Sequence, residues 1–109
     1  MKLEVHERIA IMGLLPKMED YQALRTIRRA KEMLSFSPDE MEFYKIRPGE
    51  VSGTVVWDVE KARQQIKDVP IDEYTTGLIR KALGEKDAKH QLTEDLISIY
   101  DKFVIMYQA

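Results

Sequence analysis

The chain contains no cysteine. This absence excludes a disulfide scaffold, a thiolate zinc site, an iron–sulfur cluster and a cysteine nucleophile. Long apolar runs are also missing, because the longest, Ile9 to Leu15, is about a third of the roughly 20 residues that a membrane span requires. The first residues do not follow the pattern of a secretory signal. We therefore expect a cytoplasmic protein that has no membrane partner.

Neither sign of charge is in large excess. Seventeen Lys and Arg residues against nineteen Asp and Glu residues give a net charge of -2. This balance argues against a generally basic nucleic-acid coat protein but leaves room for a local basic patch. With 109 residues, of which 44% are hydrophobic and 33% charged, the chain is expected to fold as one globular domain, 1–109.

Glycine and histidine are too few, and too scattered, for the common catalytic motifs. The five glycines form neither a phosphate-binding loop, a dinucleotide fingerprint nor a nucleophile elbow. His6 lacks a second histidine four residues later, and His90 lies in a lysine-rich polar segment. Carboxylate pairs such as Asp39 and Glu40 fall in first helical turns, where they complement the helix dipole. We therefore expect no enzyme activity, no catalytic residue, no metal and no cofactor.

Apolar periodicity and capping residues predict five helices, at 3–15, 20–34, 38–44, 72–83 and 94–107. The sharpest start is Ser37, which is followed by Pro38 and, three residues after the cap, by Glu40. Asp20, Asp72 and Thr93 are the expected caps of the second, fourth and fifth helices. Gly84 is expected to end the fourth helix, and a polar loop at 85–91 is expected to follow it. In the second helix we expect Ala23, Leu24, Ile27, Ala30 and Leu34 to face inward.

A small antiparallel sheet of two or three strands is predicted near residues 45–70. A strand at 54–57 with one buried face would pair with 44–47. Residues 59–69 are compatible with a short helix capped by Asp58 or with an edge strand before Pro70. The fold class that follows is a helix-rich α+β domain.

A basic cluster on the second helix is the first candidate site. Arg25, Arg28, Arg29 and Lys31 lie within seven residues. Arginines presented together bind phosphates or carboxylates through paired hydrogen bonds. The alternative is a solvated helix face that Glu32 balances. Trp57 is either a platform for a base or a core residue.

The closing helix is the second candidate, because its apolar residues cover more than one side. Its tentative interface consists of Tyr100, Val104, Ile105 and Tyr107. A doubly apolar helix in so small a protein is typical of burial against another subunit or a partner. We therefore expect a homo-oligomer.

Four segments together resemble small proteins of unassigned function from tailed bacteriophages and prophages. They are the opening MKLEVHERIAIMGLLP, the stretch LSFSPDEMEFY, the dipeptide Trp57–Asp58 and the closing LTEDLISIYDKFV. The resemblance implies a viral origin and a role in the bacterial cytoplasm, and it assigns no site residue.

These observations predict a phage accessory protein that binds without catalysis. It would engage a host factor or sequester a small anionic, nucleotide-like ligand. One hypothesis is that this binding serves counter-defence against the host. The alternative is a structural or assembly factor of the virion. A nucleic-acid-binding regulator ranks third.

Overall fold

The computed structural model describes residues 1–107, which contain six α-helices and four short strands. The helices are α1 (Val5–Leu14), α2 (Tyr21–Leu34), α3 (Pro38–Tyr44), α4 (Val59–Gln64), α5 (Glu73–Ala88) and α6 (Ile97–Tyr100). A 3₁₀ turn, Glu94–Leu96, precedes α6, and a π-helical segment, Asp101–Ile105, follows it. The strands are β1 (Lys2–Leu3), β2 (Arg47–Pro48), β3 (Val55–Val56) and β4 (Lys67–Asp68). The predicted class, a helix-rich α+β domain, is confirmed.

Side-chain caps fix where several helices begin. The carboxylate of Asp20 accepts a hydrogen bond from the Ala23 N–H at 2.9 Å, as predicted for the start of α2. At α3, Ser37 and Glu40 form the expected capping box, in which each side chain bonds the other residue's backbone N–H. Asp58 and Asp72 cap α4 and α5 as Asp20 caps α2, because each carboxylate accepts a hydrogen bond from the N–H three residues later.

The main core lies between α1, α2, α5 and the closing helical segment. Its buried members are Leu3, Ile11, Leu15, Ile27, Ala30, Leu34, Val69, Ile79, Leu83, Leu96, Ile99 and Phe103. The predicted inward stripe of α2 holds except at Leu24, which is 38% exposed because it lies at the margin of the stripe. A smaller core around Val5, Tyr44 and Ala62 includes Trp57, which is partly buried there.

The strands form two separate antiparallel pairs. β2 pairs with β3, so that Arg47 faces Val56, in the region where the sequence predicts a small antiparallel sheet, but the partner strand is Arg47–Pro48 rather than 44–47. The expected buried face is absent, since Val55 and Val56 are both exposed. The second pair joins β1 to β4, which places Leu3 in a strand, and the predicted first helix therefore begins only after Glu4.

Residues 59–69 contain both of the structures that the sequence allowed. Asp58 caps the six-residue helix α4, which buries Ala62. The chain then extends into β4, which runs beside the N-terminal strand before Pro70. A helix this short and a two-residue strand both depend on tertiary contacts for their stability. The local sequence pattern therefore could not show which part of the segment is helix and which part is strand.

Two helix ends differ from the prediction. α5 passes through Gly84 and ends at Ala88, because Leu83 is buried and one glycine costs a helix only about 1 kcal/mol. The segment predicted as a polar loop is therefore largely helical. At the closing helix, Thr93 caps no backbone N–H, and the helical geometry ends at Ile105 rather than at Tyr107. No helix in residues 1–107 combines the length and the apolar character that crossing a membrane requires.

Candidate functional site

Helix α2 separates an apolar side from a basic side. Ala23, Ile27, Ala30 and Leu34 pack into the core. The predicted site residues Arg25, Arg28 and Arg29 are exposed on the other side, and Lys31 is half-buried. We call these four residues the α2 basic face. Because the apolar side already anchors the helix, the arginines are not needed for packing.

Three of the four residues line one shallow concavity. Arg25, Arg28 and Arg29 surround about 420 Å³ of surface space together with Tyr21 and Glu32. Arg28 Nε lies 3.9 Å from Glu32 Oε1, and the Arg28 side chain is 84% exposed. Ion pairs this exposed contribute little, so Glu32 neutralises the concavity only partly.

Tyr21 adds an aromatic ring to the concavity. Arg25 Nη1 donates a hydrogen bond to the Tyr21 hydroxyl at 3.2 Å, and the guanidinium carbon lies 5.8 Å from the ring centroid. Tyr21 itself is 67% exposed. Trp57, the other aromatic residue that could serve as a base platform, packs in the smaller core. The signal in the sequence for Tyr21 is its four-residue spacing from Arg25, which places the two side chains on one face of α2.

Lys31 points to a neighbouring groove. That groove is lined by Lys17, Arg28 and Lys31 beside Pro16, Leu24 and Ile27. Arg28 borders both depressions. The structure thus brings three members of the predicted cluster together and places the fourth around the side of the helix.

Arg8, by contrast, has a structural role. Arg8 is buried, and its Nη1 donates to Glu40 Oε2 at 2.6 Å. The Arg8 guanidinium lowers the pKa of Glu40 from 4.5 to about 2, although partial burial acts in the opposite direction. Arg8 is thus buried and ion-paired, whereas the arginines of the α2 basic face are exposed to solvent.

A second charged pair links the start of α1 to the π-helical segment. Lys102 Nζ donates to Glu7 Oε1 at 2.6 Å, and the same oxygen accepts from the Glu4 N–H at 2.9 Å. Burial alone raises the pKa of Glu7, but the hydrogen bonds from the Glu4 N–H and from Lys102 lower it more. The pKa of Glu7 therefore lies below its ordinary value, and the carboxylate is ionised at neutral pH.

Glu4, His6 and Glu7 form a group that does not stand out in the sequence. Each offers one ligand atom, and these atoms lie within 4.8 Å of one another. Ser98 Oγ approaches His6 Nε2 at 3.5 Å from the closing helix. The three side chains lie close together because α1 begins with a capping box, in which Glu4 and Glu7 turn toward each other's backbone.

The residues predicted as a partner interface are in several environments. Tyr100 and Val104 pack against the main core, whereas Ile105 is 67% exposed. Tyr107 lies beside Arg80, whose guanidinium carbon is 5.0 Å from the ring centroid. The outward apolar surface of this segment therefore consists of Ile105 with Ile97 and Met106.

The chain matches no protein-family model, and neither a curated protein nor a solved structure is significantly similar to it.

Proposed function

We propose that the protein binds a phosphate-bearing, nucleotide-like anion at the α2 basic face, without catalysis. The observation that supports this most directly is the concavity in which Arg25, Arg28 and Arg29 surround one surface depression. Guanidinium groups offer planar pairs of donors that match phosphate oxygens. The biological setting we propose is that of a phage accessory protein acting in the bacterial cytoplasm, where it sequesters this ligand or engages a host factor.

Charge supports the proposal because the concavity keeps an excess of positive charge. In residues 1–107, no carboxylate lies within ion-pair distance of Arg25 or Arg29. Glu32 is the single carboxylate among the lining residues, against three arginines. An anion that bears several charges would bind better there than a single carboxylate.

The exposed ring of Tyr21 indicates what else the ligand would carry. A planar base stacks on an aromatic ring or on a guanidinium plane. Tyr21 and Arg25 already lie side by side at this edge of the concavity. A nucleotide would place its phosphates among the arginines and its base against Tyr21.

Calorimetric titration with ATP and with tripolyphosphate tests both parts of the proposal. Arg25→Ala combined with Arg29→Ala should weaken the binding of both compounds by about tenfold or more, the loss expected when charge-assisted hydrogen bonds are removed. Tyr21→Leu should weaken the binding of ATP but not of tripolyphosphate.

The matched control combines Arg63→Ala with Lys81→Ala, which removes the same charge from exposed positions on α4 and α5. Binding to this control should equal binding to the unmodified protein. Equal losses in the two double variants, or no binding by the unmodified protein, would contradict the proposal.

A second candidate function is assembly with a partner or with a second copy of the chain, as in a structural factor of a virion. This candidate rests on the exposed apolar residues of the closing segment. Ile97, Ile105 and Met106 are each more than half exposed. Light scattering after size-exclusion chromatography, with Ile105→Lys as the variant, tests this candidate. A dimer that the substitution dissociates would support it, and an unmodified monomer would argue against self-association.

A further inference from the structure

The first turn of α1 places three metal-ligand side chains in one small space. Glu4, His6 and Glu7 bring one ligand atom each to within 4.8 Å of the other two, and His6 Nδ1 lies 3.8 Å from Glu4 Oε2. We propose that these three residues bind a divalent transition-metal cation, for which Zn²⁺ is the test ion. This site is independent of the α2 basic face.

Glu7 provides the second observation that points to a cation. Its side chain is fully buried, and its Oε1 already accepts from Lys102 and from the Glu4 N–H. Its Oε2 is buried and has no hydrogen-bond partner in residues 1–107. A buried carboxylate oxygen without a partner is costly, and a cation bound to Oε2 would remove that cost.

The local charges favour a divalent cation in spite of Lys102. Glu4 and Glu7 contribute two formal negative charges and Lys102 one positive charge, so the formal charge beside the imidazole is about -1. Because Lys102 contacts Oε1, it holds Glu7 in place and leaves Oε2 for the cation. The proposed metal and the lysine would therefore use different oxygens of one carboxylate.

The ligand types indicate which class of cation fits. Imidazole nitrogen combined with carboxylate oxygen suits Zn²⁺ and its first-row neighbours better than Mg²⁺ or Ca²⁺. Bonds of roughly 2.0–2.2 Å to each ligand put the ligand atoms of a tetrahedral site about 3.5 Å apart, so small side-chain rotations would close the trio. Three protein ligands leave a coordination position for water or another ligand.

The site is open to solvent on one side. The side chains of His6 and Glu4 are 36% and 35% exposed, whereas Glu7 forms the buried floor. Ser98 Oγ, at 3.5 Å from His6 Nε2, is placed to orient the imidazole. Hydrogen bonding to the second ring nitrogen is the usual support for a metal-binding histidine.

Calorimetric titration of the metal-free protein with Zn²⁺ tests the proposal, and Co²⁺ absorption in the visible range gives an independent reading of ligand geometry. We expect one ion per chain. His6→Asn should weaken Zn²⁺ binding by about tenfold or more. Loss of a residue that only hydrogen-bonds to a metal ligand already has an effect of this size, so loss of a ligand should have at least as large an effect. His90→Asn is the matched control, because His90 is exposed and already has a positive φ of 55°, which asparagine adopts readily.

Glu4→Gln serves as a second variant, since Glu4 is half-exposed and its loss leaves the Glu7–Lys102 pair in place. Circular dichroism would establish that each variant is folded before titration. The proposal is overturned if the unmodified protein binds no Zn²⁺, or if His6→Asn and His90→Asn bind it equally well. Failure of ATP to bind would leave this result unaffected, because the two sites share no residue.

Discussion

Arg8 and Glu40, which are 32 positions apart in sequence, form a two-point ion pair between α1 and the first turn of α3. Nη1 of Arg8 donates to Glu40 Oε2 at 2.6 Å and Nη2 donates to Oε1 at 3.3 Å. Arg8 also donates to the carbonyl oxygens of Leu34 and Ser35 at the end of α2. Its guanidinium carbon lies 4.0 Å from the centroid of the Phe36 ring. One buried side chain thus joins three helices.

Replacing Arg8 with methionine should strongly destabilise the fold. Methionine fills similar space but removes the donors that Arg8 supplies to Glu40 and to two helix-terminal carbonyl oxygens. Breaking a buried ion pair by removing one partner costs about 3–5 kcal/mol. Urea denaturation followed by circular dichroism measures this loss.

Arg28→Met is the control for that measurement, since the Arg28 side chain is 84% exposed and its one ion pair within residues 1–107 is long. Its stability should change by no more than about 0.5 kcal/mol. If the two variants were equally stable, Arg8 would not have the structural role assigned to it.

The same pair predicts a loss of stability in acid. Because Arg8 lowers the pKa of Glu40 from 4.5 to about 2, the folded state binds this proton less readily than the unfolded state does. The stabilisation is complete above pH 4.5 and disappears as the pH falls from 4.5 to about 2. It amounts to about 3 kcal/mol at neutral pH.

Comparing the unmodified protein with Glu40→Gln isolates this contribution, because glutamine does not titrate. The difference in unfolding free energy between the two proteins should shrink steadily below pH 4.5. A difference that stayed constant between pH 5 and pH 2 would exclude the proposed coupling.

Lys102→Met should also destabilise the protein, in this case by detaching the closing segment from α1. The substitution leaves the fully buried carboxylate of Glu7 without its cation. We expect a loss of about 3 kcal/mol, as for other buried charges deprived of a partner. Lys81→Met, at an exposed position of α5, is the control and should unfold at the same urea concentration as the unmodified protein. Matching midpoints for both variants would count against the Glu7–Lys102 link.

Gly84→Ala should stabilise the protein, since α5 continues through this residue. A Cβ at Gly84 would meet no atom within 4 Å, and alanine favours a helix over glycine by about 1 kcal/mol. Gly53→Ala should have the opposite effect, because Gly53 has a φ of +84° that alanine adopts only with strain. Thermal melting of the two variants checks both signs. A lower melting temperature for Gly84→Ala would contradict the continuous helix.

Capping residues and apolar spacing located most helices, because the interactions that start a helix involve residues only a few positions apart. Asp20, Ser37 and Asp72 each cap a helix that the sequence predicts, and Asp58 caps the helix that was one of two alternatives for its segment. Such caps satisfy backbone N–H groups of the following turn, so a short stretch of sequence contains all the information needed. The same holds for the alternation of apolar and basic residues along α2, which predicted its exposed arginines.

Local signals failed where a distant contact decides the structure. Gly84 is a typical helix terminator, yet the burial of Leu83 keeps α5 intact beyond it. Leu3 fits a helical pattern, but pairing with Lys67 places it in a strand. In both positions, tertiary packing outweighs a local preference of about 1 kcal/mol or less.

By itself, the sequence determined the helix-rich α+β class, the starts of the capped helices and the basic face of α2, because spacing and capping act over one or two turns. The tertiary structure alone decided which charges are buried in pairs. Arg8 with Glu40 and Glu7 with Lys102 are brought together from 32 and 95 positions apart. It also placed Glu7 beside Glu4 and His6, with one carboxylate oxygen that has no partner in the described part of the chain. Hydrogen bonds and ion pairs depend on distances in space, and only the packing of the helices sets those distances.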